Sequence, residues 1–460
     1  MAIFVLLTGG NYATNGGENI REEFIEVALY KCKATTNIFT NLCFQYAWYA
    51  NKTLYKFNLT EIGAKEILGK GNHPLNNENY DVLIIGASAK SYFLDGMNSG
   101  WRESITKFIA NGGGYIGICG GAIAASQGYE KPKSPLQKKA NKGVLGIADI
   151  YINDDFDGEW QYLLKMAVPK MGYSGQIPVK VVILKNNSIF EGYDKSNINI
   201  SYGGGPGIYK ADVDDPMLGN IEPLMLYNEE LMYTKPIHYW KPTINGWKIA
   251  GNVSTDIMNQ YAAIITNYGN GKVILFGPHP EEPPMLKGRI NEFFGKSAWD
   301  GYRYVYEWVN GNYTKLSHTW WILRRSAALA GGIDKENLPP ISYFSCAIEK
   351  PPEKWEKNVY VNNRQINLTI AKEIASMVGR SIIIGNFTMK VISENAERVE
   401  FYIDDSLQYT ANEPFYSFNN WTFYKWNIDK KLTGFHNIKA KAYDAEGNFA
   451  WDEADVLFLW

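Results

Sequence analysis

The sequence predicts an α/β domain, with a largely parallel sheet flanked by helices, followed by a small all-β sandwich. Between Ile3 and Phe276, short apolar runs alternate with stretches of helical periodicity. This alternation is typical of parallel sheets covered by helices. From Val399 onward, apolar and polar residues alternate instead, and turn signals recur about every 8–12 residues, as they do in sandwiches.

Five uninterrupted apolar runs predict the strands of the α/β domain: Ile3–Leu7, Val82–Ile85, Tyr115–Ile118, Val181–Leu184 and Val273–Phe276. Apolar residues spaced three or four apart predict its helices, which are Ile20–Tyr30, Trp101–Ala110 and a helix that begins over Ala122–Gln127. In the second helix the apolar residues fall on one face, namely Trp101, Ile105, Phe108 and Ile109.

Two regions interrupt this alternation. Residues 131–176 are basic and then acidic, so they form an insertion that is either a lid over the active face or a surface excursion without a role. Residues 292–330 are rich in tryptophan and tyrosine and predict closing helices. We therefore expect the α/β domain over 1–333, a proline-bearing linker over 334–356 and the sandwich over 357–460.

The composition excludes several classes of function. The 460 residues carry 46 basic and 48 acidic side chains, so net charge gives no case for a nucleic-acid partner. No apolar stretch approaches the roughly 18 residues that suggest a membrane span. The four cysteines form no CxxC pair and have no histidine at zinc spacing, so we expect no metal and no other cofactor. Cys32 and Cys43 are either a disulfide or two buried thiols.

The segment Gly114–Ala122 carries the strongest chemical signal. A predicted strand runs into Gly-Ile-Cys-Gly-Gly, and a helix of small residues follows. This is the layout of a nucleophile elbow. At the start of a helix, the dipole and the backbone N–H groups favour the thiolate of Cys119, and the N–H of Gly120 is placed to stabilise an oxyanion. The alternative is a buried cysteine in a glycine-rich turn.

A cysteine nucleophile needs a base, and His279 has the most suggestive position among the five histidines. It follows the strand Val273–Phe276, and catalytic groups of open α/β folds collect at the carboxyl ends of strands. Glu281 lies two residues further on and can orient the imidazole. The predicted roles are nucleophile for Cys119, base and then acid for His279, and orienting carboxylate for Glu281.

These motifs resemble the class I glutamine amidotransferase-like superfamily. Within it, the segments Ile200–Gly207 and Asn267–Glu281 are similar to the branch named after the N-terminal domain of some biotin-protein ligases. The resemblance covers residues 3–285. It implies a cysteine–histidine–glutamate triad, which falls on the three residues named above.

The resemblance also implies substrate-binding groups. Glutamine-hydrolysing members carry an oxyanion-hole loop, often Pro-Gly-Gly, after an early strand, and Gly86 and Ala87 stand in that place here. The missing proline and glycine weigh against glutamine as the substrate, though not against thioester chemistry. Tyr202, Gly203 and Gly204 either line the substrate pocket or form a tight turn.

The segments Val399–Asp405 and His436–Asn448 resemble an immunoglobulin-like domain of microbial surface proteins. Such domains are usually spacers or adhesion modules, which implies contacts with a cell surface or with another copy of the chain. An extracellular or cell-surface location is therefore expected. A cytoplasmic one is the alternative, because no signal peptide is visible. Nine Asn-x-Ser/Thr sequons add support for export; they begin at Asn51, Asn58, Asn186, Asn199, Asn252, Asn312, Asn367, Asn386 and Asn420.

The expected function is cleavage of a C–N amide bond in a small-molecule or peptide substrate through a thioester intermediate. The chain shows no recognisable synthase domain to receive ammonia. A stand-alone amidase or peptidase at the cell surface is therefore favoured over a glutaminase subunit. The remaining alternative is a catalytically inactive binding or structural surface protein on the same scaffold.

Overall fold

A computed structural model describes residues 13–15, 18–32, 37–86, 95–132, 135–153, 177–184, 187–234, 238–252, 255–283, 289–294, 304–309, 318–352, 356–418 and 421–460. The chain divides into two compact units. The central unit comprises the described parts of Ile25–Asn37 and Leu59–Ile341. The terminal unit comprises the described parts of Met1–Phe24, Ile38–Asn58 and Ser342–Trp460.

Strands make up most of the regular structure. In chain order they are β1 (Ala13–Asn15), β2 (Glu18–Tyr30), β3 (Tyr46–Ala50), β4 (Thr53–Ile62), β5 (Val82–Ile85), β6 (Gly114–Ile118), β7 (Ile150–Asn153), β8 (Ile177–Ile183), β9 (Asn197–Tyr202), β10 (Gly207–Lys210), β11 (Glu222–Tyr227), β12 (His238–Thr243), β13 (Gly246–Asn252), β14 (Tyr261–Tyr268), β15 (Gly271–Phe276), β16 (Arg289–Phe294), β17 (Tyr304–Val309), β18 (Ser345–Lys350), β19 (Val359–Val361), β20 (Arg364–Gln365), β21 (Ser381–Ile384), β22 (Phe387–Glu394), β23 (Arg398–Ile403), β24 (Ser406–Ala411), β25 (Tyr416–Phe418), β26 (Trp421–Ile428), β27 (Gly434–Tyr443) and β28 (Phe449–Leu459).

The helices are fewer and shorter. They are α1 (Ile38–Phe44), α2 (Ala64–Ile67), α3 (Ser99–Ala110), α4 (Gly120–Ala125), α5 (Pro135–Ala140), α6 (Leu231–Thr234), α7 (Trp320–Ala330) and α8 (Thr369–Val378), with a 3-10 turn over Lys335–Asn337. In the part of the chain that the structure describes, none of them is long and apolar enough to cross a membrane.

The predicted fold class is wrong: the described chain is mostly β and is not a parallel sheet flanked by helices. Parallel pairing in the central unit joins β2 to β5, β5 to β6 and β6 to β15. Beyond that point β15, β14, β11, β8 and β9 pair antiparallel in that order. Antiparallel strands need only short connections, whereas parallel strands need long crossovers. The residues Gly269 and Asn270, which join β14 to β15, leave no room for a crossover helix.

Individual elements agree better with prediction. Strands occur at Val82–Ile85 and, within β6, at Tyr115–Ile118. Helix α3 buries Trp101, Ile105, Phe108 and Ile109, the predicted face. The predicted helix Ile20–Tyr30 is wrong, because this segment is strand β2. Pairing of its end, Val27–Leu29, with β5 outweighs the apolar spacing that predicts a helix. The predicted strand Ile3–Leu7 lies outside the described residues.

The aromatic segment 292–330 is only partly helical. Strands β16 and β17 pair antiparallel in the described part of this region, so closing helices are wrong there. Helix α7 is the helical portion. The predicted insertion 131–176 contains α5 and β7, and β7 pairs with β10. Its remainder, 154–176, lies outside the described residues, and the lid stays a prediction.

Parallel pairing of β5, β6 and β15 brings their carboxyl ends to one edge of the sheet. The residues that directly follow these strands are Gly86, Cys119 and Gly277. Beneath this edge lies a hydrophobic core that includes Leu83, Tyr115, Ala122, Leu275 and the buried face of α3. The core therefore fixes the backbone from which the candidate site projects.

The terminal unit contains two sheets. One has the strand order β18-β22-β26-β25. In the other, β24, β23, β27 and β28 pair antiparallel in turn, and β21 and β19 extend it by parallel pairing. Strand β18 packs against β27 and β28. Inward-facing side chains from both sheets are buried, among them Val391, Val399, Phe401, Tyr424 and Ala440.

Candidate active site

Cys119 lies at a sharp turn between strand β6 and helix α4. Its backbone angles are φ 51° and ψ −103°, a region that residues with a side chain rarely adopt. The side chain is partly exposed, and none of the four cysteines is in a disulfide. The turn therefore presents the thiol at the carboxyl edge of the sheet, directly before the first helical residue, Gly120.

Close backbone packing holds this turn in place. A Cβ atom on Gly121 would lie 1.9 Å from the carbonyl oxygen of Ile85, and one on Gly117 would lie 2.6 Å from the carbonyl oxygen of Gly121. The hydroxyl of Tyr115 donates a hydrogen bond to that same Gly121 oxygen, at 2.8 Å. Gly117 and Gly121, each two residues from Cys119, are thus required by the approach of neighbouring backbone.

The parallel pairing of β6 with β15 brings His279 to Cys119. The backbone N–H of Cys119 donates a hydrogen bond to the carbonyl of Phe276 at 2.7 Å. The backbone N–H of His279 donates one to the backbone carbonyl of Ser201, also at 2.7 Å. The imidazole is buried, and Cys119 is close enough to raise its pKa. Residues 160 positions apart in the sequence thus meet at one edge of the sheet.

Glu281 completes the arrangement by contacting the imidazole of His279. Its Oε1 lies 2.9 Å from His279 Nδ1, and both side chains are buried. Burial lowers the pKa of His279, but the Glu281 carboxylate and the Cys119 thiol outweigh it, so this pKa is raised well above its usual value. The geometry favours a protonated imidazole between a carboxylate and a thiol.

Helix α7 fixes the backbone around Glu281. The hydroxyl of Thr319 donates to the carbonyl of Pro280 at 2.8 Å, and Nε1 of Trp320 donates to the carbonyl of Glu281 at 2.7 Å. Sequence reasoning treated this tryptophan-rich segment only as closing helices and missed this role. Among the described residues, Glu281 Oε2 has no hydrogen-bond partner. The carboxylate is therefore positioned through the contact of its Oε1 with His279.

A second buried carboxyl group, that of Glu282, lies next in sequence. Burial and, to a smaller extent, the Glu281 carboxylate raise its pKa to about 8, against an opposing effect of His279. Glu282 is therefore neutral at neutral pH. Glu281 is thus the acidic side chain that contacts the imidazole, at 2.9 Å.

The predicted residues Tyr202, Gly203 and Gly204 also lie at the site. Tyr202 ends strand β9, and its hydroxyl donates to the carbonyl of Gly205 at 3.0 Å. A Cβ atom on Gly205 would lie 1.8 Å from the carbonyl oxygen of Gly277 and 3.4 Å from Cys119 Sγ. Between them, Gly203 is partly exposed and Gly204 has φ 81°. The loop that these residues form therefore turns tightly beside the thiol.

Tyr227, at the end of β11, is a site neighbour that sequence reasoning missed. Its hydroxyl donates to the carbonyl of Pro206 at 3.3 Å, and its ring packs edge-on against Tyr202 with centroids 5.9 Å apart. Burial raises its pKa well above the usual value, and Cys119 adds to this, so the phenol stays neutral. Only the apolar alternation of Glu222–Tyr227 marks it in the sequence, which does not distinguish it from a core residue.

The remaining predicted site residues are Gly86, Ala87 and Gly120. Gly86 is buried directly after β5, and Gly120 is the buried first residue of α4. Ala87 lies outside the described residues. The role of these three in binding an oxyanion stays a prediction. Within the described ranges, no group of three histidine, cysteine, aspartate or glutamate side chains could hold a metal ion.

Comparison with known proteins does not identify a family. No family model matches the chain, and no curated protein matches it. Among solved structures, a lytic polysaccharide monooxygenase from Jonesia denitrificans is 18% identical over 17% of this chain and 58% of its own, with a TM-score of 0.15.

Two other structures match over longer stretches. A cytoplasmic protein from Salmonella typhimurium LT2 is 12% identical over 55% of this chain and 87% of its own, with a TM-score of 0.29. A β-galactosidase from Bacillus circulans sp. alkalophilus is 9% identical over 94% of this chain and 41% of its own, with a TM-score of 0.31. These scores are too low to establish a shared fold, so the site is interpreted from its own geometry.

Proposed function

We propose that the chain is a cysteine-dependent hydrolase that cleaves a C–N amide bond through a thioester intermediate. One observation supports this best: at the carboxyl edge of the sheet, the buried His279 imidazole lies 2.9 Å from the Glu281 carboxylate, and both Glu281 and Cys119 raise the pKa of this imidazole. This is the arrangement by which a base activates a nucleophile and a third group orients the base.

The proposed reaction has two steps. The Cys119 thiolate attacks the amide carbonyl carbon, a C–S bond forms, the C–N bond breaks, and the departing amine takes a proton from His279. Water then loses a proton to His279 and attacks the thioester carbonyl, which breaks the C–S bond and releases the acid. The strained turn at Cys119 holds the sulfur in place for both steps. No cofactor takes part in the proposed mechanism.

The substrate that we propose is a small-molecule or peptide amide, handled by a stand-alone amidase. Delivery of ammonia to a partner is the alternative, and the missing proline and glycine after β5 weigh against glutamine as the substrate. An extracellular or cell-surface setting is proposed on the nine sequons.

A substrate panel tests the proposal. The chain and Cys119→Ala are incubated with L-glutamine, an acyl-p-nitroanilide and short N-acylated peptides, and released ammonia or amine is measured. We expect release by the native chain and a loss of roughly 1,000-fold or more in the variant. Release confined to glutamine supports the glutaminase alternative. Equal release by both chains contradicts a role for Cys119.

A further inference from the structure

Strand β27 of the terminal unit carries two lysines in opposite electrostatic surroundings. Lys439 and Lys441 are two residues apart, so their side chains leave the same face of the sheet. Both are partly buried. The strand thus offers two amines of the same type on one face, of which Lys441 is the more deeply buried, and the neighbours of the two differ.

Lys439 is paired with carboxylates. Its Nζ lies 2.5 Å from Asp405 and 3.5 Å from Glu453. Burial lowers the pKa of Lys439, but the two carboxylates outweigh it and raise this pKa above its usual value. At neutral pH this amine is an ammonium ion engaged in ion pairs, and it is a poor nucleophile.

Lys441 contacts aromatic faces instead. Its Nζ lies 3.6 Å from the centroid of the Phe449 ring and 4.8 Å from that of Tyr443. In the part of the chain that the structure describes, Lys441 has no ion pair within 4.0 Å. Rings attract a cation, but they accept no strong hydrogen bond from it, so the amine loses water without gaining an anionic partner.

The carboxylate opposite Lys441 on the neighbouring strand is already engaged. Glu400 pairs with Lys441 in the register of β23 and β27, but its Oε2 accepts hydrogen bonds from the hydroxyls of Tyr402 at 2.5 Å and Tyr443 at 2.8 Å. Its Oε1 lies 3.6 Å from Arg398. Glu400 is therefore shared among three other groups.

Two further cations surround the same rings. The Arg398 guanidinium lies 3.8 Å from the Tyr443 centroid, and Lys56 Nζ lies 5.9 Å from the Phe449 centroid. Lys56 is itself paired with Glu22 at 3.0 Å. Like charges held near an amine disfavour its protonation, so this cluster works against an ammonium ion at Lys441.

These effects act together on Lys441. Burial lowers the pKa of its amine, Glu400 and Glu22 oppose this, and Lys56 and Arg398 add to it. The net result is a pKa of about 8. A lysine near this value has a substantial neutral fraction at physiological pH, which is the condition for nucleophilic lysine chemistry.

We propose that Lys441 is a nucleophilic amine that accepts acyl groups from activated acyl donors, at a site separate from Cys119. The Nζ lone pair attacks the donor's carbonyl carbon and a C–N bond forms. The bond from that carbon to the leaving group breaks, the leaving group departs as an anion, and the amine proton passes to solvent. The product is an amide on Lys441 without positive charge.

Limited acylation of the full chain tests this proposal, with Lys439 as the internal control. The chain is treated with a substoichiometric amount of the N-hydroxysuccinimide ester of acetate at pH 7.5, and acetylation is quantified at each lysine by peptide mass spectrometry. We expect Lys441 to react at least about tenfold faster than Lys439, because a far larger fraction of its amine is neutral. If Lys441 reacts no faster than Lys439, the proposal is overturned. This holds even if the cause is steric protection of Lys441.

The variant Arg398→Gln separates electrostatics from accessibility. It removes a cation beside Lys441 and releases Glu400, and both changes favour the ammonium ion. We expect acetylation of Lys441 to slow about threefold or more while the rate at Lys439 is unchanged, which also reports that the strand is intact. An unchanged or faster rate at Lys441 contradicts the electrostatic explanation.

Discussion

Replacement of Gly277 by alanine is expected to destabilise the central unit by about 3 kcal/mol, at the upper end of what overpacking costs. A Cβ atom there would lie 2.1 Å from the carbonyl oxygen of Pro206 and 2.4 Å from the hydroxyl of Tyr227. The carbonyl belongs to backbone and cannot rotate away, and the phenol is buried in ring contact with Tyr202. The loop beside Cys119 would have to move.

Urea unfolding of Gly277→Ala measures this loss directly. Gly100→Ala in helix α3 is the matched control, because its added Cβ would meet side-chain atoms of Asn98 and Leu68 at 3.3 and 3.4 Å. Alanine is also preferred to glycine within a helix, so we expect the control to stay within about 1 kcal/mol of the native chain. Equal effects of the two substitutions would show that the backbone contact at Gly277 is not close.

Glu281→Gln is expected to produce the second large effect, on stability and on reactivity together. Breaking a buried ion pair by removing one partner costs about 3–5 kcal/mol. The glutamine amide is neutral, so the burial of His279 is no longer offset and the pKa of the imidazole falls. Without an imidazolium beside it, Cys119 is expected to alkylate more slowly at pH 6.

The pH dependence of unfolding tests the sign of this shift. The raised pKa of His279 contributes stability that is fully present below about pH 6.5, the unfolded value. That contribution is lost as pH rises through the folded value. Urea unfolding between pH 6 and 9 should therefore show a steeper loss of stability in the native chain than in Glu281→Gln. Parallel profiles for the two chains would contradict the coupling of His279 to Glu281.

The parts of the fold that sequence predicts well are those with a strong local pattern. Strand β5 and helix α3 are set by an apolar run and by one apolar face, and the structure has both. The failures arise where distant pairing decides. The apolar spacing within Ile20–Tyr30 favours a helix, but the segment is a strand because β5 pairs with it. Antiparallel strands such as β9 and β11 carry only short alternations, so the mixed sheet was not predictable from local pattern.

The candidate site shows the same division. The elbow at Cys119 has a local signature, because its glycines are required by neighbouring backbone. The orienting contacts of Trp320 and Tyr227 have none, since each depends on strands or helices far away in sequence. The meeting of Cys119 with His279 requires the register of β6 with β15, which local pattern does not specify.

The central claim is that His279 activates Cys119, and the most direct test is the rate of Cys119 alkylation by iodoacetamide against pH. The rate is resolved at each cysteine by mass spectrometry, in the native chain and in His279→Ala. At pH 6 only about 0.3% of an ordinary thiol is ionised. We therefore expect fast native alkylation at pH 6 and a loss of roughly 100-fold in the variant. An unreactive Cys119, or the same pH profile in both chains, would contradict the catalytic assignment.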